Sequence, residues 1–278
     1  MTLLQILLLG IVQGVAELLP VSSSAHVIAA EKLMGLDPTS PQMTFLLVML
    51  HTGTMFAVIG YFWKSWQARY FASAEAFASH AKLVVLATAM TGIVGVALLL
   101  VIERVALRGS LHAEIEQLFG NPYVMAAGLA AAGVMIIVSS RRSARDQANA
   151  LGWRQSAWIG AVQGLCLPFR GFSRSGATIS TGLLLGIERI RAEEFSFALA
   201  VVLTPAVILR EGYRLLKATN VSESVLAVMW PSLVGMLCSF VAGWISLRWL
   251  SAWLERGRWH WFGYYCLLAS AVVLVLGR

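Results

Sequence analysis

Charge is what this 278-residue chain has least of. Asp, Glu, Lys and Arg make up 13% of it, about half of the ~25% found in soluble domains. Hydrophobic residues make up 58% and the mean hydropathy is +0.75, which excludes an ordinary soluble domain and implies a polytopic membrane protein. Cysteine is scarce too. Cys166, Cys238 and Cys266 are odd in number, lie in apolar stretches and share no metal-ligand spacing, so they read as small buried hydrophobes. The N-terminus lacks a positive start. Its first basic residue is Lys32, and no small-residue cleavage site follows, so no signal peptide is expected. The net charge of +7 does not point to nucleic acid. The basic residues sit in short loops between apolar runs, where they serve as orientation signals and contacts for anionic lipid headgroups.

Six stretches approach the ~20 apolar residues needed to cross ~30 Å of hydrocarbon: 43–63, 83–102, 122–139, 195–210, 226–247 and 261–277. Two further stretches are apolar but interrupted. Residues 2–35 break at Pro20 and residues 156–187 at Pro168. Polar, non-helical backbone at membrane depth is tolerated only when buried in protein or lining a wet cavity. Both stretches therefore read as re-entrant helix–loop–helix hairpins. Loops 64–82, 140–155 and 248–260 are net positive and 103–121 is net negative, which places the first three in the cytoplasm and the fourth outside. With both hairpins re-entrant, these assignments agree. The first hairpin dips in from the outer face and the second from the cytoplasmic face. The expected fold is an all-α polytopic membrane protein of two inverted-topology repeats. Each repeat holds one re-entrant hairpin plus transmembrane helices, with about six full spans in all. It forms a single integral membrane domain over 1–278, with repeats over about 1–140 and 150–278.

The two breaks carry the chemistry, and they resemble each other. Gly10-Ile-Val-Gln13-Gly14 leads into Glu17-Leu-Leu-Pro20-Val-Ser22-Ser23-Ser24-Ala-His26. Gly160-Ala-Val-Gln163-Gly164 leads into Pro168-Phe-Arg170-Gly171-Phe-Ser173-Arg174-Ser175-Gly176-Ala-Thr178, at a constant offset of 150. Interrupted helices at matching places in two halves point to a site between repeats. Pro20 ends the incoming helix because it lacks an N–H. The serines after it are N-cap residues, and a helix starting near Ser24 would aim free N–H groups and its positive dipole end at the loop. Glu17, one turn before the break, and His26, in the first turn after it, can face one small volume. Capping explains the serines but not an intramembrane carboxylate and imidazole, which are functional by default. In the second cluster Gly171 and Gly176 let backbone approach an anion. Ser173 or Ser175 can cap the helix that follows, Arg174 supplies a planar fork for phosphate oxygens, and Arg170 adds positive charge. Together the loops would make a phosphoryl-transfer site that works by positioning and charge stabilisation. His26 can be general acid/base or nucleophile, Ser23 can be a nucleophile with His26 as its base, and Glu17 can hold a divalent cation. His51, mid-span, reads first as a satisfied buried histidine, with a supporting role near the site as the alternative. The basic loops read as solvated faces.

At these two motifs the chain resembles the undecaprenyl-pyrophosphate phosphatase family of the UppP/BacA type. Glu193-Glu194-Phe195-Ser196-Phe197 and the full-length hydropathy layout resemble it too. The resemblance implies a multi-pass enzyme of the bacterial inner membrane. It would cleave a long-chain isoprenoid diphosphate to the monophosphate, recycle the carrier for peptidoglycan synthesis and confer bacitracin resistance. It implies Mg²⁺ or Ca²⁺ dependence and a site facing the periplasmic side. A homodimer is a separate expectation. Catalytic roles fall to Glu17, Ser23, His26 and Arg174. Substrate binding falls to Ser22, Ser24, Arg170, Gly171, Ser173, Ser175, Gly176 and Thr178, and metal binding to Glu17 with Gln13 nearby. The family often has a second acid where this chain has Gln13, and usually Pro where it has Arg170. A transporter or flippase of polyprenyl phosphate lipids is the alternative class, since broken helices and inverted repeats also serve transport.

Overall fold

The computed structural model describes residues 1–37, 41–105, 121–142, 150–169, 171–218 and 224–276. Loop 103–121 and part of loop 140–155 lie largely outside the described residues, as does Arg170. Ten helices run through the described residues: α1 (Leu3–Leu18), α2 (Ser23–Leu33), α3 (Pro41–Arg69), α4 (Ala74–Val105), α5 (Pro122–Ser140), α6 (Trp153–Cys166), α7 (Arg174–Leu184), α8 (Arg189–Ala218), α9 (Ser224–Glu255) and α10 (His260–Leu276).

Among the described residues, four helical segments are long and apolar enough to cross a membrane: Met43–Arg69, Ala74–Ile102, Pro122–Ser140 and Met229–Glu255. Val85, Ile93, Val96, Leu100 and Val101 on α4 are exposed, as suits a face that meets lipid. Leu3–Leu18 and His260–Val275 are shorter apolar helices. The span expected over 195–210 falls inside α8, whose first turns carry Arg189, Arg191, Glu193 and Glu194. The chain is thus a multi-pass membrane protein, and its elements among the described residues are all helices.

Both expected interruptions are present as helix–break–helix. α1 starts with a capping box, Thr2 accepting from the Gln5 N–H while the Gln5 side chain accepts from the Thr2 N–H. It stops at Leu18 because Leu19 precedes a proline and is held extended at φ −74°, ψ 149°. The next helix starts at Ser23, one residue before the position expected from sequence. The second interruption falls between Cys166 and Arg174, around Pro168.

The chain divides into two compact units, each drawn from three segments. The first comprises Met1–Leu19, Ser23–Ser65 and Ala200–Leu250. Its core includes Ile6, Leu9, Val27, Met43, Leu46 and Leu50. Here α1 lies against α9 at Gly10 and Gly14: a Cβ at Gly14 would stand 2.6 Å from that of Ala242. The second comprises Pro20–Ser22, Trp66–Leu199 and Ser251–Arg278. Here α6 lies against α4 at Gly160 and Gly164, where a Cβ on Gly160 would run into the Ala87 backbone. Thr91 closes that contact, donating to the Gly160 carbonyl at 2.9 Å and accepting from Gln163 at 3.1 Å. The two lead-ins that match in sequence therefore do the same thing: small residues four apart seat a partner helix at backbone distance.

Candidate active site

The first cluster assembles on a single carboxylate oxygen. Glu17 is in the last turn of α1, and its Oε2 accepts from Ser23 Oγ at 2.5 Å and from Gln13 Nε2 at 3.3 Å. The Glu17–Ser23 contact exists because the break turns the chain back within six residues, so the first residue of α2 meets the last turn of α1. Gln13 is four residues earlier on the same helix face and is 1% exposed. His51 Nε2 stands 3.7 Å from the same Oε2. The His51 Nδ1 is 2.8 Å from the Leu47 carbonyl. A carbonyl only accepts, so Nδ1 carries the proton and Nε2 is turned toward Glu17. His51 is thus satisfied, as expected, but half-buried rather than buried, its side chain 42% exposed, and its place near Glu17 matches the alternative of a supporting role.

Ser22, between Pro20 and Ser23, is buried at φ +68°. A non-glycine residue in this left-handed region costs ~1–2 kcal/mol and persists only where its surroundings over-determine it. Ser24 and His26 follow on the first turn of α2, both partly exposed.

The second cluster is a helix start. Ser173 is the N-cap of α7, its Oγ accepting from the Gly176 N–H at 3.2 Å and lying 3.5 Å from Ser175 Oγ. Of the two serines expected to cap, Ser173 does so. Arg174 is the first helical residue, where free N–H groups and the positive dipole end gather. Gly171 has φ +99°, and a Cβ there would collide with the Met125 backbone, so no other residue fits without displacing α5. Thr178 is fully buried, with its hydroxyl donating to the Arg174 carbonyl at 2.7 Å and 2.6 Å from Ser196 Oγ. It braces the first turn of α7 against α8.

Pro20, the breaking residue of the first motif, belongs to the same compact unit as α7. A Cβ on Gly176 would be 3.2 Å from the Pro20 Cβ, and the Pro20 carbonyl accepts from Cys266 at 3.2 Å. Pro20 itself thus packs directly on the start of α7.

A divalent cation would meet one carboxylate, that of Glu17, in the first cluster. Among the described residues no group of three or more His, Cys, Asp and Glu side chains is arranged to hold a metal ion. The donor set fits a Mg²⁺-type ion held chiefly by substrate phosphates with one protein carboxylate, and does not fit an all-protein metal cage.

Sequence reasoning missed one cluster. Loop 64–82 reads as a solvated face, yet Arg69 Nη1 bonds to Glu194 Oε2 at 2.7 Å, and Glu194 is 2% exposed. The signal was present: two adjacent carboxylates, Glu193 and Glu194, open an apolar helix and need partners. Glu193 finds Ser251 at 2.6 Å.

An all-helical membrane protein has thus been built around two interrupted helices. One break presents an acid bonded to an alcohol, and the other a capped, arginine-bearing helix start of the kind that receives anions. The chain belongs to the family described as "Bacitracin resistance protein BacA", whose model matches residues 6–272. It is 59% identical to "Undecaprenyl-diphosphatase 2" of Acinetobacter baylyi over 99% of this chain and 98% of that protein. It is 34% identical to "Undecaprenyl-diphosphatase" of Thermus thermophilus over 96% and 94%, and 33% identical to that of Acaryochloris marina over 99% and 98%.

Proposed function

We propose that this protein is an undecaprenyl-diphosphate phosphatase. It hydrolyses the terminal phosphoanhydride of a long-chain isoprenoid diphosphate, releasing phosphate and leaving the lipid monophosphate. The observation that carries the chemistry is the 2.5 Å hydrogen bond from Ser23 Oγ to Glu17 Oε2, beside a helix break whose proline packs on the start of α7. Ser23 attacks the terminal phosphorus while Glu17 takes its proton. The bond from phosphorus to the bridging oxygen breaks, and the lipid monophosphate leaves. Water then displaces the phosphoryl group from Ser23 and restores the hydroxyl. Arg174, the α7 N–H groups and the serines around them balance the charge on the transferring phosphoryl group. His26, one turn into α2, serves as the acid that protonates the departing group. The competing assignment makes His26 the nucleophile, and the Ser23–Glu17 bond favours Ser23.

Mg²⁺ or Ca²⁺ would sit with Glu17 and the substrate's phosphates, and would supply neutralisation of diphosphate charge. Gln13 tempers this requirement. Its amide donates to Glu17, where a second carboxylate would repel it and call for a cation. It is a bacterial inner-membrane protein of two inverted repeats and about six spans, with its site toward the periplasm, able to form a homodimer. Its activity returns the carrier lipid to peptidoglycan synthesis and so protects against bacitracin.

The test is phosphate release by purified protein from a long isoprenyl diphosphate, with and without chelator, for wild type and Gln13→Glu. Turnover is expected, with a steeper chelator effect in Gln13→Glu. Lipid transport in vesicles without phosphate release would instead establish the transporter.

A further inference from the structure

The geometry points to a second lipid-binding site, remote in sequence from the two motifs: a pocket for the phosphate of an anionic phospholipid headgroup, formed by Arg69, Tyr70, His80 and Arg191. The pocket has a volume of about 190 Å³ and is lined by these four residues with Leu151 and Glu194. One water's share of liquid is ~30 Å³, so a phosphate ester of several heavy atoms is accommodated.

Charge decides the class of ligand. Glu194 is neutralised within the pocket wall by Arg69 at 2.7 Å. Among the described residues Arg191 pairs at the surface with Glu188 at 3.5 Å, with both side chains about half exposed. An exposed pair of that kind is held weakly, so the Arg191 fork is available to phosphate oxygens. The Tyr70 and His80 rings pack at 4.5 Å. His80 Nδ1 donates to the Ala76 carbonyl at 2.8 Å, which fixes the ring against Tyr70 as part of the pocket wall. Burial and the neighbouring Glu194 push the Tyr70 hydroxyl well above its ordinary value, so it stays a neutral donor.

Position decides the source. The membrane-length segment Met43–Arg69 ends, and Ala74–Ile102 begins, at this pocket, which places it at headgroup depth. Phe71 and Phe77 beside it are about half exposed and stacked at 5.6 Å, as aromatic anchors at an interface are. Leu151 offers an apolar wall to the glycerol end. Basic pockets between helices at the cytoplasmic face hold anionic headgroups, and this loop is net positive.

The test uses the full chain in mild detergent, mixed with phosphatidylcholine vesicles with or without phosphatidylglycerol. Native mass spectrometry then counts retained lipid. Wild type is expected to retain phosphatidylglycerol in preference to phosphatidylcholine. Arg191→Gln should lower that retention about fivefold, the factor for one basic residue near an anionic surface, while Arg191→Lys keeps most of it. Equal retention by Arg191→Gln and wild type overturns the site. Displacement of the lipid by inorganic phosphate at low concentration overturns the lipid as source and leaves a free-phosphate site. If Arg191→Gln melts early, Tyr70→Phe, which removes the donor hydroxyl, carries the same measurement, and undiminished retention there overturns the site.

Discussion

Oε2 of Glu17 is where several of this protein's residues acquire their roles. An isolated carboxylate at membrane depth is costly. Here it accepts from Ser23 and Gln13, so the acid is both stabilised and aimed. Glu17→Gln removes the proton acceptor without changing shape, and phosphate release should fall ~10²–10⁴-fold, the range for a positioned general base. Ser23→Ala should fall at least as far. Full turnover in Ser23→Ala would assign the nucleophile to His26. His51→Ala leaves the Ser23 bond intact and should cost less than either. The carboxylate, the alcohol and the imidazole were legible in the sequence, because polar residues in an apolar run declare themselves. The bond between Ser23 and Glu17 was not, because only the turn of the break brings the two side chains together.

Helices fix these residues by how they start and how closely they pack. Ser173 caps α7, and Ser173→Ala should lower thermal stability by about 1 kcal/mol. A melting curve reads that loss, and turnover should drop with it because Arg174 is the next residue. At the α4–α6 contact, Gly160→Val drives a branched side chain into the Ala87 backbone. The cost is about 1–3 kcal/mol or more, seen as a lower melting temperature in detergent. Thr91→Val removes the hydroxyl bonded to the Gly160 carbonyl and Gln163 and should cost about 1–3 kcal/mol. Both breaks were legible as Pro20 and Pro168, since proline lacks the donor a helix interior needs. The close packing of the lead-ins was not, because a glycine pair does not say which helix it receives.

At the scale of the whole molecule, apolar length and loop charge make a topological prediction. Single cysteines placed at Ser73 and Gly257, with Cys166, Cys238 and Cys266 changed to alanine, should be labelled only from the cytoplasmic side. One placed in loop 103–121 should be labelled only from outside. Labelling of Gly257→Cys from outside would make the second hairpin a full span. Composition alone determined that this chain lives in a membrane, because 13% charged residues cannot clothe a soluble domain. The motifs alone determined that phosphate chemistry was to be expected at the two breaks. Only tertiary structure decided that Ser23 answers to Glu17, that His51 joins them, that Thr178 braces a helix start, and that Arg69 reaches Glu194 across 125 residues. The physical reason is range. Hydropathy and proline act on the neighbouring turn of chain, whereas a hydrogen bond to a chosen oxygen depends on where two helices come to rest.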